Sequence, residues 1–158
     1  MGKEIKTNAM RILDSAGVDY EINLYDCAEF VDGSSIADML SQDHKISFKT
    51  LVAVGKSGEH YVFVLPVDDE LNLKKCASAV GEKSVELTHV KDLTKLTGYI
   101  RGGCSPIGMK KLYRTVIHRT AENYDRIIIS GGRIGAQIFI NPHDLAGLIH
   151  ATFSDIIM

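Results

Sequence analysis

Phe48-Lys49-Thr50-Leu51-Val52-Ala53-Val54-Gly55-Lys56-Ser57-Gly58-Glu59-His60-Tyr61-Val62-Phe63-Val64-Leu65-Pro66-Val67 is the stretch on which the fold class turns. Phe48 to Val54 and His60 to Val67 are β-rich runs, and the glycine-bearing segment Gly55 to Glu59 between them predicts a hairpin. Outward from it, hairpins interleave with short helices. Toward the N-terminus, Ser34 to Ser41 reads as a short helix, and Asp19 to Tyr25 alternates as a strand with Tyr20, Ile22 and Leu24 on one face. Thr7 to Ala16 predicts a helix from the spacing of Met10, Leu13 and Gly17, with Thr7 to cap its start and Gly17 to follow its end.

Toward the C-terminus, Asn72 caps a helix running to about Val80 and ended by Gly81. Val85 to Leu87 is a short strand, and Val90 to Leu96 a short helix stopped near Gly98. Arg114 to His118, Arg126 to Ser130 and Gln137 to Ile140 are strands. Asn141-Pro142 opens a last helix with proline at its first position. No regular βαβ unit repeats, and no G-x-G-x-x-G follows the first strand, which argues against a dinucleotide-binding fold. The pattern predicts an α+β fold: a mixed, largely antiparallel sheet, curled and covered by helices.

The chain has 158 residues, 45% of them apolar, which suits one domain over residues 1–158 with a real core. No run approaches the ~20 apolar residues that span a bilayer. Met1-Gly2-Lys3-Glu4-Ile5-Lys6 lacks the apolar stretch of a signal peptide, and Lys6 stands where a myristoylation motif needs Ser or Thr. Cys27, Cys76 and Cys104 are odd in number and form no C-x-x-C, so reduced thiols and a cytoplasmic location are expected. His44, His60, His89, His118, His143 and His150 are scattered without metal-ligand spacing. No metal and no cofactor are expected.

Charge is segregated. Net charge is -2, yet Leu93 to Ala121 carries six Lys or Arg residues and no Asp or Glu. Within it, Arg101-Gly102-Gly103-Cys104-Ser105-Pro106-Ile107-Gly108-Met109-Lys110-Lys111 forms a glycine-rich loop. Its backbone N–H groups can cradle an oxyanion or phosphate, and Lys110, Lys111, Arg114 and Arg119 supply charge for a polyanion. The plain alternative is a turn with a solvated basic face. Ser105 departs from the nucleophile elbow, because Pro106 follows it and the second glycine comes one residue late. Cys104 has no obvious neighbour to lower its pKa beyond the basic field. Lys49, at the mouth of an apolar strand, points either to solvent or into a cleft where its ammonium binds an oxygen. Ser130-Gly131-Gly132-Arg133-Ile134-Gly135 ends a strand in glycines that permit close approach by a ligand or simply make a turn.

Three motifs in this order, F-K-T-L-V near position 50, G-G-x-S-P-x-G-x-K-K near 105 and S-G-G-R-x-G near 132, resemble the YbaK (EbsC-like) family of free-standing aminoacyl-tRNA deacylases. The domain is similar to the editing domain inserted in bacterial prolyl-tRNA synthetase, and the resemblance covers nearly the whole chain. It implies a mixed α/β fold around a curved, barrel-like sheet, and removal of a wrong amino acid, cysteine in the YbaK branch, from tRNA(Pro). Carried over by position, it implies Lys49, Gly102 and Gly103 as catalytic residues. Tyr25, Thr50, Ser105, Pro106, Gly108, Ser130, Gly131 and Gln137 would contact substrate, and Lys110, Lys111, Arg114 and Arg133 would face the tRNA. Where family members often carry an acidic residue, this chain has Gln137, so no carboxylate is carried over there.

The resemblance also supplies a mechanism: the cysteine thiol of the substrate attacks its own ester, leaving a thiolactone and free tRNA. The implied partners are mischarged tRNA and prolyl-tRNA synthetase, with no membrane and no metal. Two alternatives stay open at the level of sequence. One is a deacylase for another mischarged tRNA such as Ala-tRNA(Pro), and the other is a non-catalytic module that binds tRNA or nucleotide ends.

Overall fold

The computed structural model describes residues 6–27 and 29–158, so the reading of the first five residues lies outside it. In chain order the elements are α1 (Asn8–Ala16), β1 (Tyr20–Leu24), α2 (Gly33–Met39), β2 (Phe48–Gly55), β3 (His60–Pro66), α3 (Leu73–Val80), β4 (Val85–Leu87), α4 (Val90–Thr97), β5 (Arg114–His118), β6 (Ile127–Ser130), β7 (Ala136–Ile140), α5 (Pro142–Ile149) and β8 (Thr152–Ser154). Short 3-10 turns occupy His44–Ile46 and Arg119–Asn123.

Local chemistry sets the helix ends. Thr7 Oγ1 accepts from the Met10 N–H and itself donates to the Gly131 carbonyl at 2.6 Å, which ties the start of α1 to the glycine turn after β6. Gly17 closes α1 at φ 69°, a left-handed conformation that favours glycine. Asn72 accepts from the N–H groups of Lys74 and Lys75, and Asn141 from those of His143 and Asp144, so each carboxamide satisfies donors that a helix start leaves open.

Two sheets form rather than one. The five-stranded sheet runs β4-β2-β3-β5-β8 and the three-stranded sheet β1-β7-β6. The hairpin pairs Phe48 with Pro66 through to Val54 with His60. β3 with β5 and β5 with β8 are parallel, while the other pairings are antiparallel. Among the described residues, one parallel bridge, Ser47 to Ile128, joins the sheets. The division of the expected single sheet has a local cause. β4 pairs only with Ala53–Gly55, so the first half of β2 has β3 on one edge and no β4 on the other. β6 reaches β2 at its start, through the bridge between Ser47 and Ile128.

β3 is buried on both faces, which explains its unbroken apolar run. Val62 and Val64 join Phe48, Ile127, Ile129, Ile138 and Ile140 in a core closed by Met10 and Leu13 of α1 and Leu145 and Ile149 of α5. Tyr61, Phe63 and Leu65 face the other way, under Cys76, Ala77 and Val80 of α3. Leu24, read as sharing a face of β1 with Tyr20 and Ile22, is 45% exposed at the strand end. No helix among the described residues is long and apolar enough to cross a membrane.

Candidate active site

A cavity of about 440 Å³ lies where β2 and β6 separate. Its floor comes from β2 and from Ile128, Ile129, Ser130, Ala136 and Gln137 of the smaller sheet. Its walls are the start of α2, the segment leading into α4, and the loop carrying Arg101, Gly102 and Cys104. Phe30 stands at the rim with the Arg101 guanidinium 4.0 Å from its ring centroid, within cation–π range.

Lys49 lies in this cavity, half-buried. Its ammonium donates to the Val67 carbonyl at 3.2 Å. Two carboxylates feel its charge. Asp32 is held below the usual carboxyl range chiefly by the Ser35 N–H at the start of α2, with Lys49 adding to it. Asp68 is lowered chiefly by the Ser34 hydroxyl and by His44, again with a contribution from Lys49. Beside Lys49, the Thr50 hydroxyl is buried without a hydrogen-bond partner in the protein. Buried polar groups are nearly always paired, so an orphan on a cavity wall is suited to a ligand.

The structure therefore brings Tyr25, Lys49, Thr50, Gly102, Ser130 and Gln137 to one cavity. The remaining sequence candidates lie elsewhere. Ser105 is fully buried, its Oγ accepting from the Ile107 N–H, and Pro106 is buried beside it. A Cβ on Gly108 would meet Asn8, Ile12 and Tyr99 at 2.9–3.0 Å, so this end of the loop is packed against α1 and off the cavity. Gly103 N–H donates to the Ile100 carbonyl at 3.0 Å, which withdraws it from the oxyanion cradle expected of the Gly102-Gly103 pair. Gly131 packs on Ala136 and accepts from Thr7.

Among the basic residues, Lys110, Lys111 and Arg133 are exposed. The Arg114 guanidinium is engaged by the carbonyls of Ala79 and Val80 at the end of α3, where a cation suits the helix dipole.

A scan against family models matches residues 31–148 to the aminoacyl-tRNA editing domain. A protein of Enterococcus faecalis (strain ATCC 700802 / V583), provisionally named Cys-tRNA(Pro)/Cys-tRNA(Cys) deacylase EbsC, is 43% identical over 152 residues, spanning 96% of this chain and 93% of that one. This chain belongs to the aminoacyl-tRNA editing domain family. Solved structures share the fold. The hypothetical protein APE2540 superposes with a TM-score of 0.86 at 22% identity, over 94% of this chain and 97% of that one. A protein described as a candidate trans-editing enzyme for prolyl tRNA synthetase superposes at 0.79 and 21% identity, over 96% and 98%.

The editing domain offers its cavity no activated nucleophile. Burial pushes the Cys104 thiol up to about 12, so the thiolate needed for attack is not formed near neutrality. The Ser130 hydroxyl oxygen accepts from the Gly132 N–H, and His89 at the rim makes no hydrogen bond to a hydroxyl or thiol among the described residues. Among the same residues no three His, Cys, Asp or Glu side chains gather to hold a metal.

Two residues near the cavity carry no sequence signal. Gln42, in the cavity wall, follows Ser41, whose φ of 54° turns the chain back after α2. His44 lies between two carboxylates: Nε2 is 2.7 Å from Asp38 and Nδ1 2.9 Å from Asp68, and Asp68 also accepts from Ser34. Both ring nitrogens face acceptors, which calls for the imidazolium. Asp68 first and Asp38 second raise its pKa above the ordinary value.

The folded state therefore binds the proton more tightly than the unfolded one. The stability from this clamp is full below about pH 6.5 and is lost as pH rises through the raised folded value. The Tm difference between the wild type and His44→Ala is expected to shrink as pH increases from about 6 to 9. A difference that stays constant would remove the imidazolium from the account. His118, lowered chiefly by burial, titrates in the opposite sense but is common to both proteins.

Proposed function

We propose that this chain is a free-standing editing enzyme that removes cysteine from Cys-tRNA(Pro), and that it uses the thiol of its substrate as nucleophile. The observation that carries the reading is a cavity with a positioned ammonium and an unpaired hydroxyl but no activated nucleophile of its own. The name given to its Enterococcus faecalis relative supports the same substrate.

The substrate thiolate attacks the carbonyl carbon of its ester. The tetrahedral oxyanion collapses, the carbon–oxygen bond to the terminal ribose breaks, and that oxygen takes up the proton released by the thiol. The products are a cysteine thiolactone and tRNA with a free hydroxyl. Lys49, Thr50 and the Gly102 segment hold the ester in reach and stabilise the oxyanion, and intramolecular attack supplies the rest through its high effective molarity. The domain acts as one unit over residues 1–158, in the cytoplasm.

Prolyl-tRNA synthetase is the partner that delivers the mischarged tRNA. A net charge of -2 gives little long-range pull on a polyanion, so delivery compensates for weak capture.

Release of labelled cysteine from Cys-tRNA(Pro), measured beside Ala-tRNA(Pro) and Pro-tRNA(Pro), tests the reading. Loss of cysteine alone is expected. Comparable loss of alanine would replace the thiol mechanism with attack by water, and no release from any substrate would make the chain a binding module.

A further inference from the structure

Gln42 and Gln137 are 95 residues apart in sequence and meet carboxamide to carboxamide in the cavity wall. Gln42 Nε2 donates to Gln137 Oε1 at 2.8 Å, and Gln137 Nε2 donates back to Gln42 Oε1 at 3.0 Å. Asn23, paired with Gln137 across β1 and β7, donates its Nδ2 to the same Gln137 Oε1 at 3.0 Å. Gln137 is 7% exposed.

The donor and acceptor count fixes what is left. Oε1 has two lone pairs and accepts twice, so it is saturated. Nε2 has two N–H bonds, of which Gln42 takes one. One N–H of Gln137 remains, on a residue that pairs with Ser130 across the strands and lines the same cavity as Lys49.

We propose that Gln42 is a positioning residue of the editing site: it holds the Gln137 carboxamide so that the wall presents a fixed neutral N–H donor to the substrate sulfur. The inference rests on the thiol mechanism above. A donor at the sulfur favours the thiolate, the attacking form, over the thiol, whose free pKa is about 8.5. A carboxylate in this place would repel the thiolate and act as a proton acceptor instead. Without Gln42, Gln137 keeps only the Asn23 bond to its oxygen, and the Nε2 side of the carboxamide loses the partner that fixes it.

Removing this pair is expected to act on kcat. Gln42→Ala should lower kcat about 10-fold with little change in KM, in keeping with loss of one neutral hydrogen bond made in the transition state. Gln42→Glu is the sharper test because its shape is conserved. As a carboxylate, Glu cannot donate to Gln137 Oε1 and draws the Gln137 N–H groups to itself. As a neutral acid, its O–H and C=O restore both bonds of the pair. The activity ratio of Gln42→Glu to wild type should therefore climb as pH falls from about 6 to about 4, through the ordinary glutamate range, while the ratio for Gln42→Ala stays flat. Wild-type kcat in Gln42→Ala, or a flat ratio for Gln42→Glu, overturns the proposal.

A second readout needs no turnover. In nitrogen-15-labelled protein, the amide-linked analogue of cysteinyl-adenosine should shift one Gln137 side-chain N–H in the wild type and not in Gln42→Ala. An unmoved Gln137 resonance overturns the inference. Absence of cysteine release from the wild type instead overturns the deacylase reading, and the two failures stay distinct.

Discussion

Lys49→Ala is expected to lower kcat/KM for cysteine release by about 10²–10³-fold, the loss typical of removing one preorganised donor from a developing oxyanion. Among the described residues the ammonium donates to one acceptor, the Val67 carbonyl at 3.2 Å, which leaves donor capacity for a ligand in the cavity that Lys49 lines beside the unpaired Thr50 hydroxyl. The fold should survive the change, because residue 49 is held in the hairpin by backbone pairing opposite Leu65. Lys49→Arg should not rescue. A planar guanidinium needs more room than a compact ammonium and presents its donors in a rigid fork. Steady-state kinetics with Cys-tRNA(Pro), beside thermal unfolding of each variant, measure both effects. Near-wild-type turnover in Lys49→Ala would remove the ammonium from the mechanism.

Lys49 also marks how far the sequence could be read. Its strand, the hairpin turn and the capped helices were legible because each rests on local chemistry: a run of strand-forming residues in β2, glycine at the end of α1, asparagine at the start of α3 and α5. The three motifs that carried the family resemblance lie in register along the chain, and the family match over residues 31–148 agrees with them.

What depends on long-range packing was not legible. β8 has three residues and exists because β5 offers it an edge. Arg114 reads as a free cation until α3 places two carbonyls beside it. Gln42 has no motif, and its role arises only when the turn at Ser41 carries it to a residue on β7. The glycine–serine–proline loop reads as a continuous substrate loop, yet only its first part reaches the cavity. Tyr99 and α1 claim the rest through close packing at Gly108.

That division of the loop makes Gly103 a sensitive position. It lies between Gly102 and Cys104, which line the cavity, but is itself packed against the turn after β6. A Cβ there would sit 2.8 Å from Arg133 Cα, 3.0 Å from Arg133 C and 3.1 Å from Ile134 N. These are backbone atoms and cannot rotate aside, so Gly103→Ala must push the two glycine turns apart and carry Gly102 with it. A shift of about 1 Å in groups that orient a reacting ester costs on the order of 10²-fold in rate. Gly103→Ala should therefore lose about that factor in kcat and lower the Tm as well. Gly147→Ala is the matched control. A Cβ at this helical position in α5 meets nothing within 4 Å, so activity should hold and stability should rise by up to about 1 kcal/mol. Wild-type kcat and Tm in Gly103→Ala would mean that the two turns yield without moving the cavity wall, and that the contact between them does not set the geometry of the site.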